Sequence, residues 1–217
     1  MPTSARRPAV ITLFVLLVAA LVARTIFLAW EPPYDGTLHL DQIAPLGDAY
    51  WAMNLYVGGP AFAVSWIATA IFIVLLARGR TAPITLAAGV LVGLAGILFS
   101  LVITAEVLPF VFALETSSAP ELFDAFNPLI ESLLLPAILG GQLGVAVGVL
   151  VFLVVALITR AVPRWFAIAG LAYLVVFAAV PIDALGRAAV IASDLVQVAL
   201  VVGIGWFGMR AALTPER

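Results

Sequence analysis

The ionisable and amide side chains inside long apolar stretches are the residues of this 217-residue chain with most capacity for chemistry. Arg24 lies in the first such stretch, and Asp194 and Gln197 lie in the last, about one helical turn apart. A charge in hydrocarbon costs at least ~2.5–3.5 kcal/mol unless it is paired or hydrated. At ~1.5 Å per residue, Arg24 and Asp194 reach nearly the same depth in a core of ~30 Å. We therefore expect these two side chains to lie close together, with Gln197 on the same face as Asp194.

Further polar side chains fall at or just beyond this level of the membrane, and three of them complete a cluster that leaves two interpretations open. In the first, the cluster is an outward-opening pocket for a ligand or ion, in which charge-assisted hydrogen bonds hold an anionic or zwitterionic head group. In the second, the cluster only pins helices together, with the long Arg24 side chain reaching towards the surface. The first interpretation gives these candidate ligand-binding residues: Arg24, Glu106, Glu131, Gln142, Asp194 and Gln197.

Catalytic and metal-binding signatures are largely missing from the sequence. The absence of cysteine excludes thiolate metal sites and cysteine nucleophiles, and the single histidine, His39, excludes bis-histidine haem ligation within one chain. The motifs of serine hydrolases, zinc proteases and P-loop enzymes do not occur. His39 and Asp41 form a poor metal signature in an acidic loop. We predict no catalytic residue, no metal site, no cofactor and no nucleic-acid partner.

Long apolar helices must carry these side chains. Hydrophobic residues make up 65% of the chain and charged residues 10%, with a mean hydropathy of +1.22, which excludes a water-soluble globule. The length suits one membrane domain, residues 1–217. We predict an all-α polytopic bundle, in which Pro109 and Pro136 kink or end the two longest apolar stretches. The six predicted transmembrane helices cover about 9–30, 53–77, 83–108, 129–159, 165–182 and 188–209.

The arginines predict the orientation. Eight of the ten fall before the first span, after the last, or in the two connections 78–82 and 160–164. The positive-inside rule places that side, with both termini, in the cytoplasm, so we predict a multi-pass protein of the bacterial cytoplasmic membrane. Because Arg6 and Arg7 precede the first apolar run, a cleaved signal peptide is an alternative for that segment.

Small residues predict where two helices approach closely. Gly140, Gly144 and Gly148 are spaced four residues apart in the fourth span, which places them on one helical face. The spacing predicts a packing seam, and it leaves open whether the partner helix belongs to the same chain or to another protomer.

The turn Arg160-Ala161-Val162-Pro163-Arg164-Trp165, which leads into Gly170, adds a family resemblance. With the length and the six-span pattern, this turn resembles small, uncharacterised six-helix membrane proteins of GC-rich Gram-positive bacteria. The resemblance implies no activity. We predict a non-enzymatic accessory, scaffold or sensor protein. A small transporter or ligand-binding protein is the alternative, and an intramembrane enzyme acting on lipid is a third reading. The expected partners are membrane lipids, with a membrane protein partner or a homo-oligomer left open.

Overall fold

The computed structural model describes residues 3–32, 37–116 and 118–214, and the regular structure in those ranges is helical throughout. The all-α prediction is confirmed. Short 3-10 turns occupy Ala44–Leu46, Gly79–Thr81 and Ile182–Leu185, and a π-helical turn occupies Asn54–Gly58. The α-helices are α1 (Thr3–Trp30), α2 (Leu40–Ile43), α3 (Asp48–Met53), α4 (Gly59–Leu75), α5 (Ala82–Leu114), α6 (Ala119–Leu133), α7 (Leu135–Thr159), α8 (Arg164–Ala179) and α9 (Arg187–Leu213).

Within the described residues, five helical segments are long and apolar enough to cross a membrane, as expected of a multi-pass membrane protein. The apolar helix α8 has 16 residues and is shorter than these five. At ~1.5 Å per residue it extends ~24 Å, less than the ~30 Å of a hydrocarbon core. The five segments are Arg6–Trp30, Asp48–Leu75, Gly79–Leu114, Leu135–Thr159 and Ala188–Leu213.

The first and last helices run antiparallel. In the first half of α1, the Phe14 ring lies 6.0 Å from the Trp206 ring, which is near the end of α9. Further along α1, Arg24 bonds Asp194, which lies in the first half of α9. The beginning of α1 and the end of α9 are therefore at the same end of the bundle. We call this the arginine end, because Arg78, Arg160, Arg164 and Arg210 also meet there.

The structure corrects the predicted fourth span, 129–159. The chain turns at Leu134, which separates α6 from α7. The helix α6 is amphipathic and carries exposed acidic residues, so it does not continue the apolar span. Pro136 lies in the first turn of α7, where a residue without an N–H group is tolerated. The hydropathy pattern had joined two helices of different character.

Other predicted boundaries move by a few residues or more. The helix α5 continues through Pro109 to Leu114, so this helix does not end at residue 108. The helix α8 ends at Ala179 rather than 182, because Val180 has an extended backbone. Helical structure before α4 begins at Asp48 and passes through the π turn, so the helical segment starts earlier than residue 53.

The glycine seam joins α7 to α5 within the same chain. A Cβ atom on Gly144 would lie 2.7 Å from the Ala95 Cβ, and one on Gly148 would lie 3.0 Å from the Ala88 carbonyl oxygen. Gly140 is not part of this seam, which is a correction, because a Cβ atom there would meet nothing within 4 Å. Gly141 takes its place, with the Ala95 carbonyl 3.2 Å away. The spacing of the seam is therefore three and then four residues, which follows one helical face more closely than four and four.

A second, smaller core closes the end of the bundle opposite the arginine end. It packs Ile43 and Tyr50, from the connection after α1, against Phe110 of α5 and Phe123 of α6. The Asn127 side chain of α6 joins this connection through both of its polar atoms: the Leu38 N–H donates to Oδ1 at 2.9 Å, and Nδ2 donates to the Leu38 carbonyl at 3.0 Å.

Candidate functional site

Arg24 is the centre of a buried polar cluster that joins α1 to α9. Its exposed fraction is 0%. Its Nη2 donates to the Asp194 Oδ1 at 3.1 Å and also to the Gln197 Oε1. The Thr25 hydroxyl donates to the other oxygen of Asp194 at 3.2 Å. The predicted proximity of Arg24, Asp194 and Gln197 is confirmed, and both carboxylate oxygens accept a hydrogen bond.

Two aromatic rings of α4 complete the surroundings of the guanidinium. The Arg24 Cζ lies 5.1 Å from the centre of the Phe62 ring and 5.3 Å from that of the Trp66 ring. Such cation–π contacts gain strength where water is excluded. The Arg24 Nε and Nη1 atoms have no hydrogen-bond partner among the described residues. The guanidinium therefore has one ionic partner, one amide partner, two aromatic neighbours and spare donor capacity.

A cavity of about 380 Å³ lies beside this cluster, between α4, α7, α8 and α9. Its size falls within the usual range of small-molecule sites. Most of its wall is apolar, and its polar edge consists of Gln142, Tyr173, Ser193, Asp194 and Gln197. The Asp194 side chain is 14% exposed, whereas Arg24 does not line the cavity. A ligand in this space would meet the hydrogen-bond partners of Arg24 before Arg24 itself.

The hydroxyl groups at this edge link α8 to α9. The Tyr173 Oη and Ser193 Oγ atoms are 3.3 Å apart, and either can donate. Ser193 directly precedes Asp194 along the chain. The polar edge thus offers two hydroxyls, a carboxylate and two amides.

The other predicted site residues are spread over a wider area. Gln142 lines the 380 Å³ cavity and also a smaller cavity of about 160 Å³, which Glu106 lines as well. Glu131 is exposed on α6 and lines neither cavity, so the structure does not bring it to the Arg24 cluster.

The smaller cavity contains a carboxyl group that sequence reasoning did not select. Glu31, which follows α1, lines it together with Glu106, Gln42 and His39. Burial raises the pKa of Glu31 to about 8, and the nearby charge of Glu106 adds to the rise. Glu31 is therefore largely protonated at neutral pH.

The residues that sequence reasoning missed at the main site are the aromatic and hydroxyl neighbours. Trp66 carried a usable signal, because of the five tryptophans it lies deepest inside a long apolar stretch of the sequence. Tyr173 carried a similar one, because its phenol lies inside an apolar stretch where a hydroxyl needs a partner. Thr25, Phe62 and Ser193 had no comparable signal, since such residues are common in apolar helices.

The described residues contain no group of three or more histidine, aspartate or glutamate side chains placed to hold a metal ion. No family model matches the sequence, and no curated protein and no solved structure matches this chain. The resemblance to small six-helix bacterial membrane proteins therefore stays a prediction, and function has to be argued from the site.

Proposed function

We propose that this chain is a non-enzymatic integral membrane protein that binds an amphiphilic, lipid-like ligand in the 380 Å³ cavity, as a sensor or carrier would. One observation carries the proposal. Asp194 and Gln197, which hold the fully buried Arg24, also line a cavity whose remaining walls are largely apolar. An apolar cavity with a few convergent polar groups is the usual form of a small-molecule site.

The charges at the polar edge select the kind of head group. Arg24 already balances the charge of Asp194, so an anionic head group would place a second negative charge beside a paired carboxylate. A neutral or zwitterionic head group with hydroxyl or amine donors suits the acceptor oxygens of Asp194 and Gln197 better. Walls that include Leu174, Phe177 and Leu200 would take the apolar part of the ligand.

The proposed arrangement in the membrane has six crossings, with α8 as the short one. The antiparallel α1 and α9 support an even number of crossings, because the first residues of α1 and the last residues of α9 lie at the same end of the bundle. The helix α8 begins at Arg164 at the arginine end, and Phe177 near its other end lines the same cavity as Asp194. With the arginine end in the cytoplasm, by the positive-inside rule, both termini are cytoplasmic and the cavity lies in the outer half of a bacterial membrane.

A cavity-filling variant tests the proposal without disturbing Arg24. Ala146 lines the cavity on α7, whereas the next residue, Val147, is exposed on the outer surface of the bundle. We expect wild-type protein extracted with its lipids to retain a stoichiometric amphiphile in native mass spectrometry. Ala146→Phe should weaken the affinity for that amphiphile at least about tenfold, which corresponds to ~1.4 kcal/mol, and so lower the fraction retained, whereas the control Val147→Phe should retain it.

Two results would contradict the ligand proposal. The first is equal retention by wild type and both variants, which would place any bound lipid elsewhere. The second is a stoichiometric second protein with no small molecule, which would favour the accessory-subunit alternative. Thermal unfolding of all three proteins shows whether the loss of ligand is separate from a loss of folding.

A further inference from the structure

A second site lies at the arginine end, and we propose that it binds a phosphate group with more than one negative charge. An open cavity of about 450 Å³ is lined there by four arginine residues. They come from three separate parts of the chain: the connection after α4, the turn between α7 and α8, and the end of α9. The four residues are Arg78, Arg160, Arg164 and Arg210.

The backbone that carries these arginines is held by specific hydrogen bonds. Arg160 ends α7 in the left-handed conformation, with φ +58°, and the next amide, of Ala161, donates to the Ala156 carbonyl at 3.1 Å. The amides of Phe166 and Ala167 donate to the Pro163 carbonyl at 3.0 and 3.2 Å. The turn between α7 and α8 therefore presents Arg160 and Arg164 from a defined position.

The other two arginines have similar local support. The Thr81 hydroxyl donates to the Arg78 carbonyl at 3.1 Å, and the Thr214 hydroxyl donates to the Arg210 carbonyl at 2.8 Å. Four arginine residues thus line one space, and the connections that carry them are themselves hydrogen bonded. This arrangement differs from arginines scattered along a membrane surface.

The positive charge in this cavity is not balanced by acidic side chains that the structure describes. None of the four guanidinium groups has a carboxylate of the described residues within 4.0 Å, in contrast to Arg24 with Asp194. Guanidinium groups bind phosphate oxygens in bidentate fashion, and the amide end of α8, which begins at Arg164, also favours an anion. A phosphomonoester or a diphosphate would balance more of this charge than the single charge of a phosphodiester.

Two tryptophans place the cavity at the level of lipid head groups. Trp165, next to Arg164, is 68% exposed, and Trp206 is 45% exposed with the Arg210 guanidinium 5.8 Å from its ring. Exposed tryptophans of membrane proteins concentrate at the interface between hydrocarbon and water. The phosphate group can reach this depth as the head group of a lipid, or from the aqueous phase as a soluble phosphate compound.

A matched pair of double variants tests the site. Arg160→Gln with Arg164→Gln removes two charges that line the cavity, and Arg6→Gln with Arg7→Gln removes two at the start of α1 that do not. The probes are phosphatidic acid, a phosphomonoester lipid, and phosphatidylglycerol, a phosphodiester lipid, each bound to purified full-length protein in nanodiscs and followed by tryptophan fluorescence. The single variants Arg78→Gln and Arg80→Gln form a second matched pair. Both residues lie in the connection after α4, and of the two only Arg78 lines the cavity.

We expect wild type to bind phosphatidic acid about tenfold more tightly than phosphatidylglycerol. The first double variant should weaken phosphatidic acid binding at least about tenfold, because it removes charge-assisted hydrogen bonds, and the control should change it less than about twofold.

Competition by inorganic pyrophosphate would support a site open to soluble phosphate compounds, and failure to compete would support the lipid as its source. Equal loss in both double variants, or equal affinity for the two lipids, would overturn the proposal in favour of nonspecific attraction to a charged surface. Unfolding curves without added lipid serve as the check that all variants fold.

Discussion

Arg24 shows how a charged side chain is accommodated at the scale of the single residue. A charge placed in hydrocarbon has to be paired, hydrated or able to reach the interface. Arg24 is fully buried, so it depends on the carboxylate of Asp194, the amide of Gln197 and two aromatic rings. Because each of these groups comes from α4 or α9, one side chain of α1 fixes the position of three helices.

A charge exchange tests this dependence. Arg24→Asp alone, or Asp194→Arg alone, places two like charges together, and we expect each to cost about 3–5 kcal/mol, as for other buried pairs that lose a partner. The combined variant should recover part of that loss, since opposite charges again face each other. Unfolding free energies in bilayers would measure the difference. A double variant no more stable than the weaker single variant would show that the ion pair does not stabilise the fold.

Glu31 gives a prediction about pH. Its pKa is raised from 4.5 to about 8 in the folded protein, mainly by burial, so the unfolded chain releases this proton at lower pH than the folded one does. Stability should therefore fall as the pH rises through the window from about 4.5 to about 8. The neighbouring titratable groups in the same cavity are Glu106 and His39.

Glu31→Gln should flatten this dependence, because the amide does not titrate. The measurement is the thermal unfolding midpoint in detergent at about pH 5 and about pH 9, with Glu121→Gln, an exposed residue of α6, as the control. The same decrease in wild type and Glu31→Gln would assign the pH effect to another group.

At the scale of the element, long apolar runs predicted most helices but not where their faces point. Apolar residues occur on all sides of α5 and α7, so their hydrophobic periodicity contains no signal for the direction of the protein interior. For this reason the spacing of four residues selected Gly140, whereas packing against α5 uses Gly141. The break at Leu134 was missed for a related reason, since the apolar face of the amphipathic α6 resembles the start of a span.

Two glycine substitutions on α7 should change the free energy of unfolding in opposite directions. Gly148→Ala would place a methyl group 3.0 Å from the Ala88 carbonyl oxygen and 2.6 Å from the Val92 Cγ2 atom, so we expect a loss of about 1–3 kcal/mol. Gly140→Ala meets open space and should gain up to about 1 kcal/mol from helix propensity. Unfolding of the two variants under identical conditions provides the comparison. Destabilisation by both would mean that the face containing Gly140 is covered in the membrane, as by a second protomer.

At the scale of the whole molecule, the topology can be mapped directly because the chain has no cysteine of its own. Single cysteines introduced as Glu121→Cys and Leu185→Cys should react with a membrane-impermeant thiol reagent in intact cells. Arg80→Cys and Arg164→Cys should react only after permeabilisation. If Leu185→Cys behaved like Arg164→Cys, α8 would not cross the membrane, and full inversion of the pattern would reverse the orientation.

The sequence predicted only the part of the candidate site in which an unpaired charge would be costly. An arginine and an aspartate in long apolar helices stabilise each other by forming an ion pair, and Arg24 and Asp194 form one. No such necessity applies to Glu131, which is exposed on α6 and needs no partner. The cavity beside Asp194 was not predictable in shape, because it depends on how α7, α8 and α9 pack around it.

The π turn at Asn54–Gly58 has a consequence for helical phase. Sixteen positions separate Tyr50 and Trp66, so on an uninterrupted α-helix the two side chains would point about 160° apart. A π turn takes up about one extra residue, which reduces the angle to about 60° and lets both rings be buried on the protein side. The chain can therefore lose one residue inside this turn and keep both rings in phase. A deletion between Pro60 and Trp66 would instead rotate Trp66 by about 100°, away from Arg24.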